Sequence, residues 1–545
     1  MTKETVCDVL VIGAGHNGLV CAWYLAAAGL KVTVLEARDV VGGAAVTEEF
    51  APGFRNSTAS YTVSLLQPKV IRDMDLARHG LDVVLRRTDN FLPTLGSEYL
   101  LAGRNGLTQR EFARHSPADA ARYEDYLRAL ESVVAVLRQW LLRAPPNAGG
   151  GLGELIKLAR LGRGIGRVDL ERQRHLLDFF TKSAAEILER YFSHDLVHAL
   201  FGFDAVVGNF ASPWTPGSAY VLLHHVFGEA AGVQGAWGHA IGGMGAITQA
   251  MARACAAKGV EIATGAPVQE IIVERGAAVG AVAGGRIFRA RAVAAGVNPR
   301  LLFEHLLPAG AVAPEIDARM RGWQCESATF RMNVALGEPP RFTSLPAPGD
   351  HLTAGIIMAP SLGHMDRAYL DARRNGWSVE PIVEMLVPST LDDSLAPAGA
   401  HVASLFCQHF RYDLPGGWDA NRDRIADAII AYVNGYAPGF AASVVARSAL
   451  SPLDLERRFG LVGGDIFHGR MSLDQLFSAR PMLGHADYRM PLFGLYLCGA
   501  GAHPGGGVTG APGHNAAQAI LHDRRKLFRR RRRGGDSGHD GELGG

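Results

Sequence analysis

A strand, a glycine-rich turn and a helix stand at the start of the chain, and this segment restricts the fold more than any other. Residues 8–12 carry the run of Val, Leu and Ile that is typical of a buried parallel strand. The motif Gly13-x-Gly15-x-x-Gly18 follows at once, and apolar residues then recur at helical spacing over 19–26. The first glycine permits a tight turn, the second lets the backbone approach a pyrophosphate, and the third lets the helix pack closely on the strand. The pattern predicts a dinucleotide-binding βαβ unit.

A carboxylate completes this unit and indicates which dinucleotide it binds. The second apolar strand, over 31–35, ends on Glu36, where an acid accepts hydrogen bonds from ribose hydroxyls. The stretch EARDVVGG, from Glu36 to Gly43, resembles the ExRxxxGG extension of FAD-binding proteins with the glutathione-reductase-type fold. This resemblance favours FAD over NAD. It implies that Arg38 lies near the adenosine end and that the Gly42–Gly43 turn approaches the flavin or its diphosphate.

A second glycine-rich loop lies near the other end of the chain. Residues 495–498 form an apolar segment typical of a strand, the loop 499–510 follows, and a helical pattern begins at His514. Reduced flavin carries negative charge near N1, which backbone N–H groups and a helix N-terminus stabilise. The glycines let the backbone come close enough to do so. The loop is therefore predicted to contact the flavin.

Composition and charge set the class of protein. The chain has 545 residues, 48% of them hydrophobic and 20% charged, which suits a globular protein of two or three domains. The net charge is +2, but residues 524–533 contain eight basic residues and the rest of the chain carries −6. A basic nucleic-acid-binding face is thus not expected. The sequence runs straight into a strand and has no apolar run of 18 residues. We therefore expect no signal peptide or transmembrane helix, and a cytoplasmic location.

The six cysteines exclude two further kinds of site. They are widely spaced, with no CxxC or CxxxxC pair and no zinc-ligand spacing. A disulfide reductase needs two thiols close enough to exchange, so this activity is not expected. No metal site is predicted either. The cysteines are Cys7, Cys21, Cys255, Cys325, Cys407 and Cys498.

Several of these segments together resemble the phytoene-desaturase and carotenoid-isomerase superfamily of FAD oxidoreductases. They are the stretch from Gly13 to Gly43, the helix start at 242–244, Val268 and the HPGGG loop at 503–507. The resemblance implies an α/β protein: a glutathione-reductase-type, Rossmann-like FAD-binding domain with an inserted α+β substrate domain. The FAD-binding domain is predicted over 1–90, 236–300 and 456–523, the substrate or cap domain over 91–235 and 301–455, and a disordered basic tail over 524–545.

The motifs and the resemblance together supply the site residues. His503 is the candidate catalytic residue, as an acid/base or a substrate-positioning group; a structural hydrogen-bonding role is the alternative. Ala500 stands where flavin amine oxidases usually place an acid, which argues against simple amine oxidation. The predicted FAD-binding residues are Gly13, Ala14, Gly15, Asn17, Gly18, Glu36, Ala37, Arg38, Gly42, Gly43, Ala44, Val268, Gly499, Ala500, Gly507, Val508 and Thr509.

The predicted function is an FAD-dependent oxidoreductase that desaturates, isomerises or otherwise oxidises a hydrophobic substrate by hydride transfer to flavin. The electron acceptor stays open between NAD(P), a quinone and oxygen, because no second complete dinucleotide motif is present. The basic tail is expected either to contact a membrane surface or to be simply solvated. The alternative function is a flavin-binding regulatory protein or a carrier of apolar ligands.

Overall fold

The computed structural model describes residues 4–147, 150–224 and 226–529. Its strands are β1 (Glu4–Val6), β2 (Val9–Ile12), β3 (Val32–Leu35), β4 (Thr47–Ala51), β5 (Phe54–Ser57), β6 (Val83–Leu85), β7 (Asn90–Pro93), β8 (Tyr99–Ala102), β9 (Glu229–Ala230), β10 (Val233–Gln234), β11 (Gly238–Ala240), β12 (Glu261–Ala263), β13 (Val268–Glu274), β14 (Ala277–Ala283), β15 (Arg286–Arg289), β16 (Ala292–Ala295), β17 (Thr329–Leu336), β18 (Gly355–Met358), β19 (Trp377–Leu386), β20 (His401–Phe410), β21 (Val444–Leu450) and β22 (Leu495–Leu497). Its α-helices are α1 (His16–Ala27), α2 (Pro68–Asp73), α3 (Leu107–His115), α4 (Pro117–Arg138), α5 (Gly151–Gly166), α6 (Leu170–Thr181), α7 (Ala184–Leu188), α8 (Asp195–Val206), α9 (Ala219–His224), α10 (Met244–Ala257), α11 (Pro299–Leu301), α12 (Pro314–Arg321), α13 (Leu362–Asn375), α14 (Trp418–Tyr436), α15 (Phe440–Ser443), α16 (Pro452–Phe459) and α17 (Ala511–Arg529).

A five-stranded parallel sheet forms the first domain, in the order β12-β3-β2-β16-β22. Every residue of β2, β3, β16 and β22 is buried, as their continuous apolar runs require of strands covered on both faces. Helix α1 packs against α10 and α17, and the four-stranded sheet β1-β15-β14-β13 contacts β16 through β14. This is a Rossmann-like arrangement, assembled from separate parts of the chain.

A seven-stranded mixed sheet, in the order β21-β17-β20-β19-β18-β7-β8, forms the centre of the second domain. Strand β17 is buried along its whole length. Helix α13 packs on β19 and β20, while α8 reaches β7 and β8 and so joins the helical layer to the sheet. The α/β fold class predicted from the sequence is confirmed; the boundaries placed at 90, 235, 300 and 455 stay predictions.

The C-terminal helix corrects one prediction. A disordered tail was expected from residue 524, but α17 continues to Arg529. Leu527 is 5% exposed in the core of the first domain, and the guanidinium of Arg291 lies 4.3 Å from the ring centre of Phe528. Leu527 follows the buried Ile520 by two helical turns, so burial of this face offsets the repulsion between neighbouring cations. Residues 530–545 lie outside the described residues.

No helix in the described ranges is both long enough and apolar enough to cross a bilayer.

Candidate cofactor and substrate site

Three glycines shape the turn between β2 and α1. Gly13 has φ +95°, a conformation that side chains rarely adopt. A Cβ atom on Gly18 would lie 2.0 Å from the carbonyl oxygen of Gly13, so any side chain there would push α1 away from the strand. Helix α1 begins at His16, directly after the turn. Its first N–H groups lack helical partners and favour an anion, which is why this turn suits a diphosphate.

Glu36 is held in place at the end of β3. Its side chain is almost fully buried, and its two carboxylate oxygens accept hydrogen bonds from the backbone N–H of Ala14 at 2.7 Å and of Arg38 at 3.0 Å. A carboxylate oxygen accepts more than one hydrogen bond, so both oxygens keep capacity for the hydroxyls of a ribose.

The Gly42–Gly43 turn lies directly against the first turn. A Cβ atom on Gly43 would lie 3.3 Å from the Cα atom of Gly15, so a side chain at position 43 would crowd the first turn. Arg38 donates to the carbonyl oxygen of Gly43 at 3.4 Å and pairs with Glu48 at 2.6 Å. Arg38 therefore fixes this second turn, besides lying on the cavity described below.

The C-terminal loop is fixed by an arginine that sequence reasoning missed. Arg480 is fully buried and donates to the carbonyl oxygen of Ala500 at 2.8 Å, and also to the carbonyl oxygens of Phe467, Gly469 and Gln475. Burial lowers the pKa of Arg480 to about 10, and the group stays charged at neutral pH. No motif marks this residue, because its partners are backbone atoms that only the folded chain brings together.

His503 is not among the residues that line the cavity. Its Nε2 atom donates to the carbonyl oxygen of Trp140 at 3.0 Å, and its ring packs edge-on against Phe477. Burial lowers the pKa of His503 to about 4, so the ring is neutral at pH 7. The structure therefore favours the alternative stated above, a hydrogen-bonding residue that positions the loop.

A cavity of about 520 Å³ joins these elements. It is within the size range of ligand sites. Of the predicted FAD-binding residues, Ala14, Gly499 and Thr509 do not line it: Ala14 bonds Glu36 and Gly42 through its backbone, a Cβ on Gly499 would meet Gly296, and Thr509 accepts from Ala511. Those that line it are Gly13, Gly15, Asn17, Gly18, Glu36, Ala37, Arg38, Gly42, Gly43, Ala44, Val268, Ala500, Gly507 and Val508.

Unpartnered polar atoms in the cavity wall indicate that it binds a polar group. The buried atoms His16 Nε2, Asn17 Oδ1, Ser60 Oγ and His468 Nδ1 all belong to lining residues and have no hydrogen-bond partner. Buried polar atoms are rarely left unsatisfied, since each costs about 1–3 kcal/mol. Burial lowers the pKa of His16 to about 3 and that of His468 to about 4, so both rings are neutral donors or acceptors. These atoms and the two glycine turns fit a dinucleotide.

The cavity continues into the second domain, where it meets residues that no sequence motif indicates. Apolar side chains lie there beside the carboxyl groups of Asp204 and Glu384 and the hydroxyl of Tyr61. These residues come from α8, β19 and the segment after β5, which the fold brings together. Only spatial proximity identifies them. The apolar side chains include Leu65, Phe203, Val207, Trp237 and Phe406.

The cysteines lie outside the cavity. Cys21, Cys255 and Cys498 are buried in the core of the first domain, and none of the six lines the cavity. The fold brings Cys21 close to Cys498, a pairing that their distance in sequence does not indicate. A hydrogen bond with Cys498, together with burial, holds the pKa of Cys21 well above its usual range. These three thiols are shielded from solvent, so they are not accessible as exchange nucleophiles.

One group of potential metal ligands lies at the surface of the second domain. Glu98 Oε1 is 3.2 Å from His115 Nδ1 and 3.5 Å from His194 Nε2. His194 Nδ1 accepts from the backbone N–H of Leu196, so in the neutral ring Nε2 carries the proton and donates to Glu98. The ring nitrogens of both histidines therefore have hydrogen-bond partners, either Glu98 or nearby backbone atoms.

Comparison with known proteins places this architecture among flavoproteins. The family model "Flavin containing amine oxidoreductase" matches residues 18–320. The chain is 40% identical to pyridine nucleotide-disulfide oxidoreductase domain-containing protein 2 of Rattus norvegicus, covering 95% of this chain and 94% of that protein. It is 25% identical to the lycopene-forming phytoene desaturase of Pseudescherichia vulneris, covering 95% and 99%. An oxidoreductase from Methanosarcina mazei shares the fold at 16% identity, with a TM-score of 0.58 over 94% of this chain and 100% of that one.

Proposed function

Because the chain belongs to the flavin-containing amine oxidoreductase family, we propose that it oxidises a hydrophobic substrate by hydride transfer to FAD. The family establishes that the protein is an FAD-dependent oxidoreductase of the amine oxidase and desaturase superfamily. One observation supports a hydrophobic substrate. The cavity that contains the dinucleotide turns runs without interruption to a wall of Leu65, Phe203, Val207, Trp237 and Phe406.

The residues of the chain would bind the cofactor, orient the substrate and exclude water from the site. The Gly13–Gly18 turn and the N-terminus of α1 would hold the diphosphate, and Glu36 the ribose. Backbone N–H groups of the loop held by Arg480 would face the flavin ring. When bound, FAD accepts a hydride from the substrate. The apolar wall would orient the substrate and keep the site dry, which hydride transfer requires more than a side-chain acid.

Disulfide reduction is not part of this proposal, although the name of the rat relative contains the term. That name describes the relative and carries no evidence about the chemistry of the present chain. In the present chain, thiol exchange would need two cysteines on the cavity wall, and the described residues place none there.

The experiment begins with the purified protein and its absorption spectrum. A flavin spectrum that bleaches anaerobically on addition of an apolar compound supports the proposal; mass spectrometry of the co-purified, organic-soluble material identifies compounds to add. Reoxidation by oxygen, a quinone or NAD(P)⁺ then identifies the acceptor. A colourless protein that retains an apolar ligand, or a yellow one whose flavin no such compound reduces, would instead indicate the carrier or regulatory function.

Contact with a membrane surface is proposed for helix α5 and the basic C-terminus. Leu152, Leu155, Ile156 and Leu158 of α5 are 75%, 61%, 45% and 53% exposed, and Lys157 and further cations interrupt them. Such a helix binds the surface of an anionic bilayer, from which an apolar substrate can enter. Leu527 is buried and therefore does not insert, so only the cations of the tail contribute.

Liposome co-sedimentation separates the two elements. Full-length protein, a chain ending at Arg529 and a variant with Leu152, Leu155 and Ile156 changed to Ser are compared on anionic and neutral lipid, at low and high salt. Salt-sensitive binding to anionic lipid that either change weakens supports the contact, and equal sedimentation of all three forms contradicts it. Ending the chain at Arg529 rather than Asp523 keeps Leu527 in the core.

A further inference from the structure

Asp204 brings an unsatisfied carboxyl group into the apolar end of the cavity. It lies on α8 next to Phe203, and both side chains line the cavity. No group among the described residues donates a hydrogen bond to its carboxyl oxygens, and no cation pairs with it. Asp204 is half-buried and its carboxyl group lines the cavity without a protein partner, so it is available to bind a ligand or to hold a proton.

Glu384 lies on the same wall, and one of its carboxylate oxygens has a hydrogen-bond partner in the protein. Its Oε2 atom accepts a hydrogen bond from the hydroxyl of Tyr61 at 2.5 Å. The Tyr61 ring stacks on Phe406, with the ring centres 5.1 Å apart, and the guanidinium of Arg331 lies 4.5 Å from the centre of the Tyr61 ring. Glu384 is therefore anchored in the wall, whereas Asp204 is available to a ligand.

Two arginines lie near Glu384 without reaching the cavity, and their charges partly offset the burial that raises the pKa of Glu384. Arg86 and Arg331 are 2% and 1% exposed, and neither lines the cavity. Their guanidinium groups donate to protein atoms: Arg331 to the carbonyl oxygen of Leu405 and to Ser404, and Arg86 to Thr62. A substrate anion would thus find two carboxyl groups and no free cation, while the two charges behind Glu384 disfavour a substrate cation.

We propose that Asp204 donates a hydrogen bond to a neutral oxygen atom, a hydroxyl or a carbonyl, at one end of an otherwise apolar substrate. The inference rests on the proposed function, in that this end of the cavity receives the substrate. It narrows the substrate class from a plain hydrocarbon to an apolar alcohol, aldehyde or ketone. Burial and the nearby charge of Glu384 raise the pKa of Asp204 to about 8, so the carboxyl group carries its proton at neutral pH and can donate.

Compounds with one carbon skeleton and different polar groups test this contact. Limonene has no polar group, perillyl alcohol adds a hydroxyl, and perillate and perillylamine add a carboxylate and an ammonium. Their binding to the full-length, FAD-loaded protein is measured by titration calorimetry at pH 7, so that the readout does not depend on flavin reduction. We expect the alcohol to bind about tenfold more tightly than limonene, the upper range of a neutral hydrogen bond, and more tightly than either ion.

Three variants link this preference to Asp204. Asp204→Leu should reduce the alcohol's advantage to less than twofold, and Asp204→Asn should retain most of it, because an amide N–H still donates. Asp89→Asn changes another half-buried acid, one that does not line the cavity, and should behave as the wild type. Thermal unfolding of each variant verifies the fold.

Several outcomes overturn the inference. Equal binding of limonene and the alcohol to the wild type removes the polar contact; tighter binding of the amine or the carboxylate identifies an ion site; and an alcohol preference that survives Asp204→Leu assigns the contact to another residue. Failure of the proposed function would give a result distinct from each of these. The alcohol would then bind with the expected preference, but no apolar compound would reduce the flavin.

Discussion

Exchange of Glu36 for Gln tests the cofactor assignment most directly. The carboxylate has two equivalent acceptor oxygens, and each already accepts one backbone N–H, from Ala14 at 2.7 Å and from Arg38 at 3.0 Å. An amide has only one acceptor oxygen, so the variant must turn its NH2 group toward one of these N–H donors. The same NH2 group cannot accept a ribose hydroxyl, and the remaining oxygen is uncharged.

The magnitude follows from these contacts. Loss of a hydrogen bond to a charged group costs about 1.5–3 kcal/mol, which corresponds to FAD binding that is weaker by roughly tenfold to 150-fold. The protein itself loses one hydrogen bond to a buried N–H, about 1–3 kcal/mol of folding free energy. Because the glycine turns and the sheet are untouched, secondary structure should remain.

The assay is the flavin content after dialysis, together with the dissociation constant for FAD added to flavin-depleted protein and a circular dichroism spectrum. Glu49→Gln is the matched control, because Glu49 is exposed and does not line the cavity. A folded Glu36→Gln protein that binds FAD as tightly as the wild type and the control would refute the assignment of this acid.

Four further predictions concern residues around the cavity. Arg480→Lys should lower the melting temperature and the flavin content together, since four buried carbonyl groups lose donors, whereas Arg470→Lys should change neither; normal flavin content in a destabilised Arg480→Lys protein would contradict the role given to the loop. His503→Gln should change the rate of flavin reduction by a substrate less than about threefold, because the ring does not line the cavity, and a large loss of rate in a stable, yellow protein would restore His503 as a catalytic residue. Cys498→Ala should likewise leave flavin reduction within about threefold of the wild type, and inactivation by alkylation of a single cysteine with the flavin retained would argue against this. Asp204→Asn should be more stable than the wild type, and the difference in melting temperature should widen from pH 5 to pH 8. The reason is that the folded state holds the Asp204 proton up to about pH 8, while the unfolded chain releases it near pH 4. A difference that does not vary with pH would show that Asp204 ionises normally.

The cofactor half of the site could be predicted in detail because its determinants are local. A turn at φ +95°, a helix that approaches its strand within van der Waals contact and a carboxylate at the end of the next strand each require particular residues at Gly13, Gly18 and Glu36. Such requirements act between neighbours in the chain, so they leave a readable spacing. The apolar runs of β2 and β3 are equally local, because burial on both faces of a parallel sheet demands them.

His503 and the tail show where local patterns misled. Gly506 and Gly507 of the HPGGG loop line the cavity, but whether the histidine ring faces the cavity or Trp140 depends on the segment after α4, more than 350 residues away. The cations after Asp523 indicated a solvated tail, yet the burial of Leu527 extends α17 by a further turn and a half. In both cases a long-range contact outweighed the local tendency.

The sequence alone determined the fold class, the two glycine turns and the family, because these depend on backbone conformation and on periodic burial, which constrain residues close together in the chain. Tertiary structure alone decided which residues line the second-domain end of the cavity. Asp204, Glu384 and Tyr61 come from three distant segments, and Arg480 bonds only to carbonyl groups, which every residue possesses. Their chemistry arises from proximity and from the removal of water, and neither of these is encoded as a spacing along the chain.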